Sequence, residues 1–222
     1  MNVAIGVMAR APSAPGKTRL APHVPAPRLT ALRVALVSDV FATVARLSQA
    51  DPFVFFTPDE AEPEIVALLA RPMPCIRQGP GDLGQRMRSA FDDLIGRRGY
   101  EAAMLVGTDM PFLGEEHVAE AREILQASGG VVLGPADDGG YYLIGMTQRH
   151  PCLFEQIAWG TNSVLTDTLK AADRLGVEAR LVRGAYDIDT IEDLRRLERD
   201  LRAAPQGIGT NLRQWFRAAA VP

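Results

Sequence analysis

Apolar positions along this chain switch between two periods in a regular alternation. Residues 2–8 form a short run rich in Val and Ile, closed by Arg10, and predict a buried first strand. Leu29, Leu32, Leu36, Val40, Val44 and Leu47 recur at helical spacing and predict a helix over 28–47. Phe53 to Phe56, between Pro52 and Pro58, read as a second strand. The same logic predicts a helix over 62–70, a short strand over 75–77, a helix over 83–95, a fully apolar strand over 102–106 and a helix over 115–127. Two strands then fall close together, 130–133 and 141–146. They are followed by a helix over 161–175, a strand over 179–182 and a helix over 190–202.

Alternation of this kind implies an α/β domain: a mainly parallel sheet with right-handed crossovers, flanked by helices. The close pair after Gly129 breaks the rhythm and predicts a small antiparallel insertion. We expect one domain over 1–202 and a tail over 203–222 that carries Trp215 and Phe216 as a docking or partner surface. With 222 residues, 47% of them hydrophobic and 23% charged, the chain is long and apolar enough for one substantial core. A net charge of −3 speaks against a nucleic-acid partner, since duplex binders carry a concentrated basic face, and favours a small-molecule substrate. Cys75 and Cys152 lack neighbours at metal-ligand spacing, so zinc is not expected, and two isolated thiols fit a reducing compartment. No signal-peptide pattern and no membrane-length apolar stretch are evident, so the expectation is a cytoplasmic protein without membrane partners, compatible with a homodimer.

Candidate chemistry gathers at the expected strand ends. Residues 11–18, APSAPGKT, fit the looser form of a phosphate-binding loop. Pro12 and Pro15 argue against it, because each lacks the backbone N–H with which such a loop wraps an anion. Lys17 and Arg19 keep their value as cations beside a ligand crevice, able to neutralise phosphates; the plainer reading is two solvated charges. Asp109 follows the fully apolar strand directly. A rigid carboxylate there suits Mg²⁺, though it could simply cap a turn. Asp187 and Asp189 share one side of an extended segment; Asp189 or Thr190 is also a natural helix cap, with Glu192 or Asp193 completing a capping box. Asp137-Asp138-Gly139-Gly140 is first of all a hairpin turn. Gly81, Asp82 and Arg86 belong to a glycine-rich helix entry that could reach a base or phosphate, and Thr108 precedes Asp109. In the inserted stretch, Asp137, Asp138, Tyr141, Trp159 and Thr161 are the candidate acceptor-binding side chains, with Asp138 as a candidate base.

Five segments, in order, carry a resemblance: PGKTRLAP from Pro15, GDLGQRM from Gly81, GTDMP from Gly107, GPADDGGYY from Gly134 and DIDTIEDL from Asp187. Together, over about residues 2–201, they resemble the DUF2064 family of GT-A-fold transferases, often labelled glycosyltransferases and linked by name to arsenosugar biosynthesis. That family is similar to phospholactate and molybdenum-cofactor guanylyltransferases. The resemblance implies a nucleotide-diphospho-sugar transferase fold, Mg²⁺ or Mn²⁺ as cofactor, and Asp109 and Asp189 in the places of the two metal-binding aspartates. It leaves the transferred group open. The Gly-x-Gly-x-Arg loop of many nucleotidyltransferases is replaced by 11–18, and the Asp-x-Asp of many sugar transferases is replaced by Gly107-Thr108-Asp109. The expectation is a metal-dependent transferase using a nucleotide or nucleotide-sugar and a small-molecule acceptor. Sugar transfer leads and nucleotidyl transfer with release of pyrophosphate is the alternative. A phosphate-loop kinase built on Lys17 and Thr18, or a non-catalytic nucleotide-binding module, are the rivals.

Overall fold

The computed structural model describes residues 1–218. In chain order the strands are β1 (Val3–Arg10), β2 (Asp51–Thr57), β3 (Cys75–Arg77), β4 (Ala102–Val106), β5 (Val131–Pro135), β6 (Tyr141–Met146) and β7 (Ala179–Leu181). The helices are α1 (Ala26–Val44), α2 (Glu62–Ala67), α3 (Leu83–Phe91), α4 (Glu115–Ser128), α5 (Val164–Arg174), α6 (Ile191–Ala203) and α7 (Thr210–Ala218). The strands form one sheet in the order β3-β2-β1-β4-β6-β5-β7. All neighbours pair in parallel except β6, which runs antiparallel to both β4 and β5. The sheet is thus mainly parallel with a small antiparallel part, as the change of rhythm after Gly129 predicts.

Alternation along the strands divides the core. Ile5, Val7 and Ala9 of β1 and Met104 and Val106 of β4 face one side, packed with Val40 and Phe41 of α1 and Val118 and Leu125 of α4. Ala4 of β1 and Ala103 and Leu105 of β4 face the other, against Met87 and Phe91 of α3 and Ala171 of α5. With both faces covered, β4 is buried along its whole length, which explains its unbroken apolar sequence.

Several helix boundaries differ from the periodicity: α1 runs from Ala26 to Val44 rather than over 28–47, α2 ends at Ala67 rather than 70, and α3 and α5 are cut short for visible reasons. The α3 helix gives way at Asp92 to a π-helical stretch that ends at Arg97. The α5 helix starts at Val164 rather than 161, because Thr161 donates to the Ala158 carbonyl and its hydroxyl pairs with that of Ser163, fixing a turn. Among the described residues no helix is long and apolar enough to cross a membrane.

The segment after α6 carries a helix that the sequence pattern does not single out. The α7 helix packs on α1, burying Leu212 and Trp215 with Leu29, Leu32 and Leu36. Asp39, a buried carboxylate of α1, accepts from the backbone N–H groups of Asn211 and Leu212 and from the Asn211 side-chain amide, so it caps α7 from another helix. The Trp215 indole N–H donates to the Arg28 carbonyl at 2.9 Å. Asp39→Ala leaves those donors without their acceptor in a buried place. We expect it to lower unfolding stability by about 1–3 kcal/mol, read as a reduced urea midpoint with unchanged denaturant slope.

Candidate functional site

The strand order reverses direction between β1 and β4: β2 and β3 extend the sheet on one side of β1, and β4 opens the other. In open α/β sheets ligands bind beyond the carboxyl ends of the strands at such a switch point. The loop leaving β1 and the loop leaving β4 meet there. The first is shaped by arginines. Arg10 donates to the Pro15 carbonyl at 3.0 Å, and Arg33, reaching back from α1, donates to the carbonyls of Ala14 and Ala11. Its prolines remove N–H groups, so the loop offers carbonyls outward and guanidinium groups gather them. Lys17 follows in a left-handed conformation, φ 54°, and the first helix begins only at Ala26. A phosphate-binding loop runs straight into its helix and lines the anion with N–H groups. This loop does neither, and Thr18 lies exposed outside both cavities described below.

The Lys17 side chain is 5% exposed, and its ammonium bridges two carboxylates, Asp109 Oδ1 at 2.8 Å and Asp189 Oδ1 at 3.0 Å. Burial by itself would favour the neutral amine. The charges and hydrogen bonds of Asp109 and Asp189 outweigh it and hold the Lys17 pKa above the ordinary lysine value. Two further contacts set the carboxylates. The Ile188 N–H donates to the Asp109 carbonyl, tying the β4 loop to the segment before α6. Thr190 caps α6 in a reciprocal box with Asp193, whose carboxylate also takes the Asp189 N–H, so the Asp189 side chain is spared from capping. Buried Ile188 separates Asp187 from Asp189 and leaves both facing the crevice.

Two cavities share the Asp109–Asp189 wall. The first, about 360 Å³, has three cations, Arg10, Lys17 and Arg33, over an apolar floor that includes Met8, Leu83, Met87 and Leu105. The second, about 520 Å³, holds Arg19, Asp138, Asp187, Asn162 and Thr161 beside the Trp159 ring. Trp159 is seated on Gly84 of α3. A Cβ there would come within 2.6 Å of the indole, and Tyr141 meets it edge-on at 6.5 Å. Gly139, at φ 88° in the β5–β6 turn, lies so close to the Asn162 carbonyl that a side chain has no room.

Several expected residues stand apart. Lys17 and Arg19 part company: Lys17 lines the first cavity and Arg19 the second. Thr108 lines the first cavity. Gly81, Asp82 and Arg86 line neither: Asp82 caps α3 in a box with Gln85, and the segment reaches the crevice through Leu83 and Met87 instead. Asp137 forms an ion pair with Arg196 at 2.7 Å outside the cavity, whereas Asp138 lines it with Oδ1 held by the Gly140 N–H at 2.8 Å. Tyr141 shows its ring to the cavities; its hydroxyl is buried with Thr168, which already donates to Val164, as polar neighbour. Arg10 and Arg33 were not foreseen. They hold the loop through the carbonyls of Ala11, Ala14 and Pro15, partners far enough along the chain that no local pattern singles them out.

Among the described residues no group of three or more His, Cys, Asp or Glu side chains forms a ready-made metal cage. The pair Asp109 and Asp189 nevertheless suits Mg²⁺ or Mn²⁺. Both already share one cation, and Mg²⁺ commonly takes one or two carboxylates and completes its shell with phosphate oxygens and water.

Residues 40–161 match the family model described as an uncharacterized protein conserved in bacteria, DUF2064. The chain belongs to the DUF2064 family. A protein from Desulfovibrio desulfuricans G20, provisionally described as a nucleotide-diphospho-sugar transferase, is 32% identical over 96% of this chain and 95% of its own, with a TM-score of 0.86. A cytidylyltransferase from Leptospira borgpetersenii serovar Hardjo-bovis shares the fold at a TM-score of 0.61 and 14% identity, covering 98% of this chain and 94% of that one. Glucosyl-3-phosphoglycerate synthase from Mycobacterium tuberculosis, solved with Mn²⁺, UDP and glucosyl-3-phosphoglycerate, shares it at 0.53 and 10% identity, covering 84% and 70%. No curated protein matches the chain. The DUF2064 chain therefore has the nucleotide-diphospho-sugar transferase fold that the five sequence segments imply.

Asp187 gives a pH test of this geometry. Burial first, then the charges of Asp138 and Asp189, raise its pKa from the ordinary 3.8 to about 6. A carboxyl that binds its proton more tightly when folded supports the fold at acid pH, and that support is lost as pH rises towards 6. In chelator-containing buffer, Asp187→Asn should melt higher than wild type above pH 6, and the difference should shrink as pH falls to 4. A constant difference across that range would mean that burial and the acidic neighbours do not raise the Asp187 pKa in this way.

Proposed function

We propose that this DUF2064 transferase draws its transferred group from a nucleotide-diphospho-sugar, held in the first cavity, and delivers it to a small-molecule acceptor in the second. The observation that carries the reading is the convergence of Asp109 and Asp189 on one cation, on the wall that both cavities share. Lys17, Arg10 and Arg33 supply positive charge where a diphosphate would lie, and the apolar floor with Leu83 and Met87 suits the flat, less polar part of a nucleotide. Asp109 and Asp189 would hold Mg²⁺ or Mn²⁺, which when bound offsets the charge that grows on a departing phosphate. The buried ammonium of Lys17 acts on the same charge, and its effect is large because it is screened from water.

On the acceptor side, Asp138 has Oδ1 fixed by Gly140, leaving its other oxygen to accept from an attacking hydroxyl and to take its proton. Trp159 offers a flat apolar wall to a ring, and Thr161 and Asn162 offer polar edges. With Asp138 and Asp187 both present, a neutral, hydroxyl-rich acceptor is favoured over an anionic one. We place the reaction in the cytoplasm, where Cys75 and Cys152 remain thiols.

A melting-temperature screen of nucleotide-sugars and nucleoside triphosphates, each with and without Mn²⁺, tests the reading. We expect a Mn²⁺-dependent rise with one or more nucleotide-sugars. A rise with triphosphates alone would shift the assignment to nucleotidyl transfer. Asp109→Asn should abolish the Mn²⁺-dependent rise while the free protein still folds, because the amide keeps the shape and loses the charge a hard cation requires. Thr18→Ala should leave the rise unchanged; if it removes the rise, the phosphate-loop kinase gains the argument.

A further inference from the structure

The cation already shared by Asp109 and Asp189 belongs to the protein, and it is almost fully buried. Lys17 Nζ lies 2.8 Å from one Oδ1 and 3.0 Å from the other, with its side chain 5% exposed. The carboxylates are far more open, at 52% and 36% exposed. Any divalent ion held by both carboxylates is therefore a close neighbour of this ammonium. The two like charges either compete for the same oxygens or repel across them, and a buried ammonium has no water to turn to. A polyphosphate resolves the conflict, since it brings negative charge enough for both cations.

We propose that Lys17 makes divalent-metal binding conditional on a polyphosphate: the lysine holds the acidic pair against metal alone, and phosphate oxygens release the pair by taking the ammonium as their own partner. The inference rests on the reading of Asp109 and Asp189 as metal ligands and adds an order to it. Metal enters with the nucleotide rather than before it. The loop is suited to such an exchange. Lys17 sits in a left-handed backbone conformation between the segment pinned by Arg10 and Arg33 and the turn that follows, so its side chain can change partner while the pinned carbonyls stay fixed. Arg10 and Arg33 line the same cavity and would remain to meet the phosphates as Lys17 joins them. Because coupling is reciprocal, the metal must also strengthen phosphate binding by the same factor.

The test uses Mn²⁺ and inorganic pyrophosphate, which carries the diphosphate without base or sugar. Binding of Mn²⁺ alone is followed by the loss of its free-ion paramagnetic resonance signal. Binding of pyrophosphate is followed by calorimetry with and without Mn²⁺. In the wild type Mn²⁺ alone should bind weakly and pyrophosphate much more tightly when Mn²⁺ is present. In Lys17→Met, Mn²⁺ alone should bind at least about tenfold more tightly, the scale of an ordinary coupling between sites, and the Mn²⁺ enhancement of pyrophosphate binding should shrink. Lys17→Gly is the second variant, because a left-handed position accepts glycine without strain and keeps the loop intact. Equal or weaker Mn²⁺ binding in both variants, with their thermal unfolding cooperative, overturns the proposal. If Mn²⁺ tightens as expected yet no nucleotide-sugar or triphosphate raises the wild-type melting temperature, the functional reading fails and the coupling stands. If nucleotides bind with Mn²⁺ and the variants gain nothing, only the coupling fails.

Discussion

The site depends on one buried ammonium and its two carboxylates. A lysine that leaves water must find anions, and Lys17 finds them in Asp109 and Asp189. Each of the three lies on a different connection: the loop after β1, the loop after β4 and the approach to α6. They can meet only if β1 and β4 are sheet neighbours and the chain returns to the same edge after β7. The backbone bond from Ile188 to the Asp109 carbonyl and the cap of α6 by Thr190 are the local means to that end. Only the ammonium is buried; the carboxylates are open to water, so it is Lys17 that depends on its partners, and losing one of them still leaves it the other. The geometry of the three charges and the topology are therefore one constraint.

Sequence periodicity carried most of the fold. A strand buried on both faces shows no alternation, so its shortness and its flanks identify it; β4, five apolar residues followed at once by Gly107-Thr108-Asp109, points to the site directly. What periodicity could not carry was anything made by a long-range partner. The α7 helix is amphipathic but short, and it is fixed by Asp39, a residue 172 positions away from Asn211. The same holds for Asp137 and Asp138. Their adjacency suggested a joint role, yet a turn sends neighbouring side chains apart, one to Arg196 and one to the cavity. Arg19 was paired with Lys17 on nearness in sequence, and the turn after Lys17 puts it in the other cavity.

The proline-rich loop shows how composition selects a mechanism. A phosphate-binding loop recognises anions with backbone N–H groups and needs residues that keep them. Pro12 and Pro15 give those donors up, and the loop becomes a set of acceptors that Arg10 and Arg33 must satisfy. In the proposed reading, anion recognition then passes from backbone to side chains. The prolines that are unsuited to one nucleotide-binding device thus sit in a loop held by two of the cations that line the first cavity, Arg10 and Arg33.

The reversed strand β6 has a comparable consequence for the second cavity. Its turn, closed by Gly139 against the Asn162 carbonyl, brings Asp138 to the rim, and its first residues, Tyr141 and Tyr142, line both cavities. Because successive strand residues face opposite sides, Tyr141 packs towards α5 and Trp159 while Tyr142 packs towards α4, where its ring meets His117 edge-on. The hairpin therefore forms a partition anchored in both halves of the core. In the proposed reaction, donor and acceptor lie on either side of the Asp109–Asp189 wall that this partition supports. The bond that breaks would lie at the boundary, next to the ammonium, where charge develops. A parallel strand in the place of β6 would have begun at the opposite end of the sheet, and Asp138 would be missing from the rim of the second cavity.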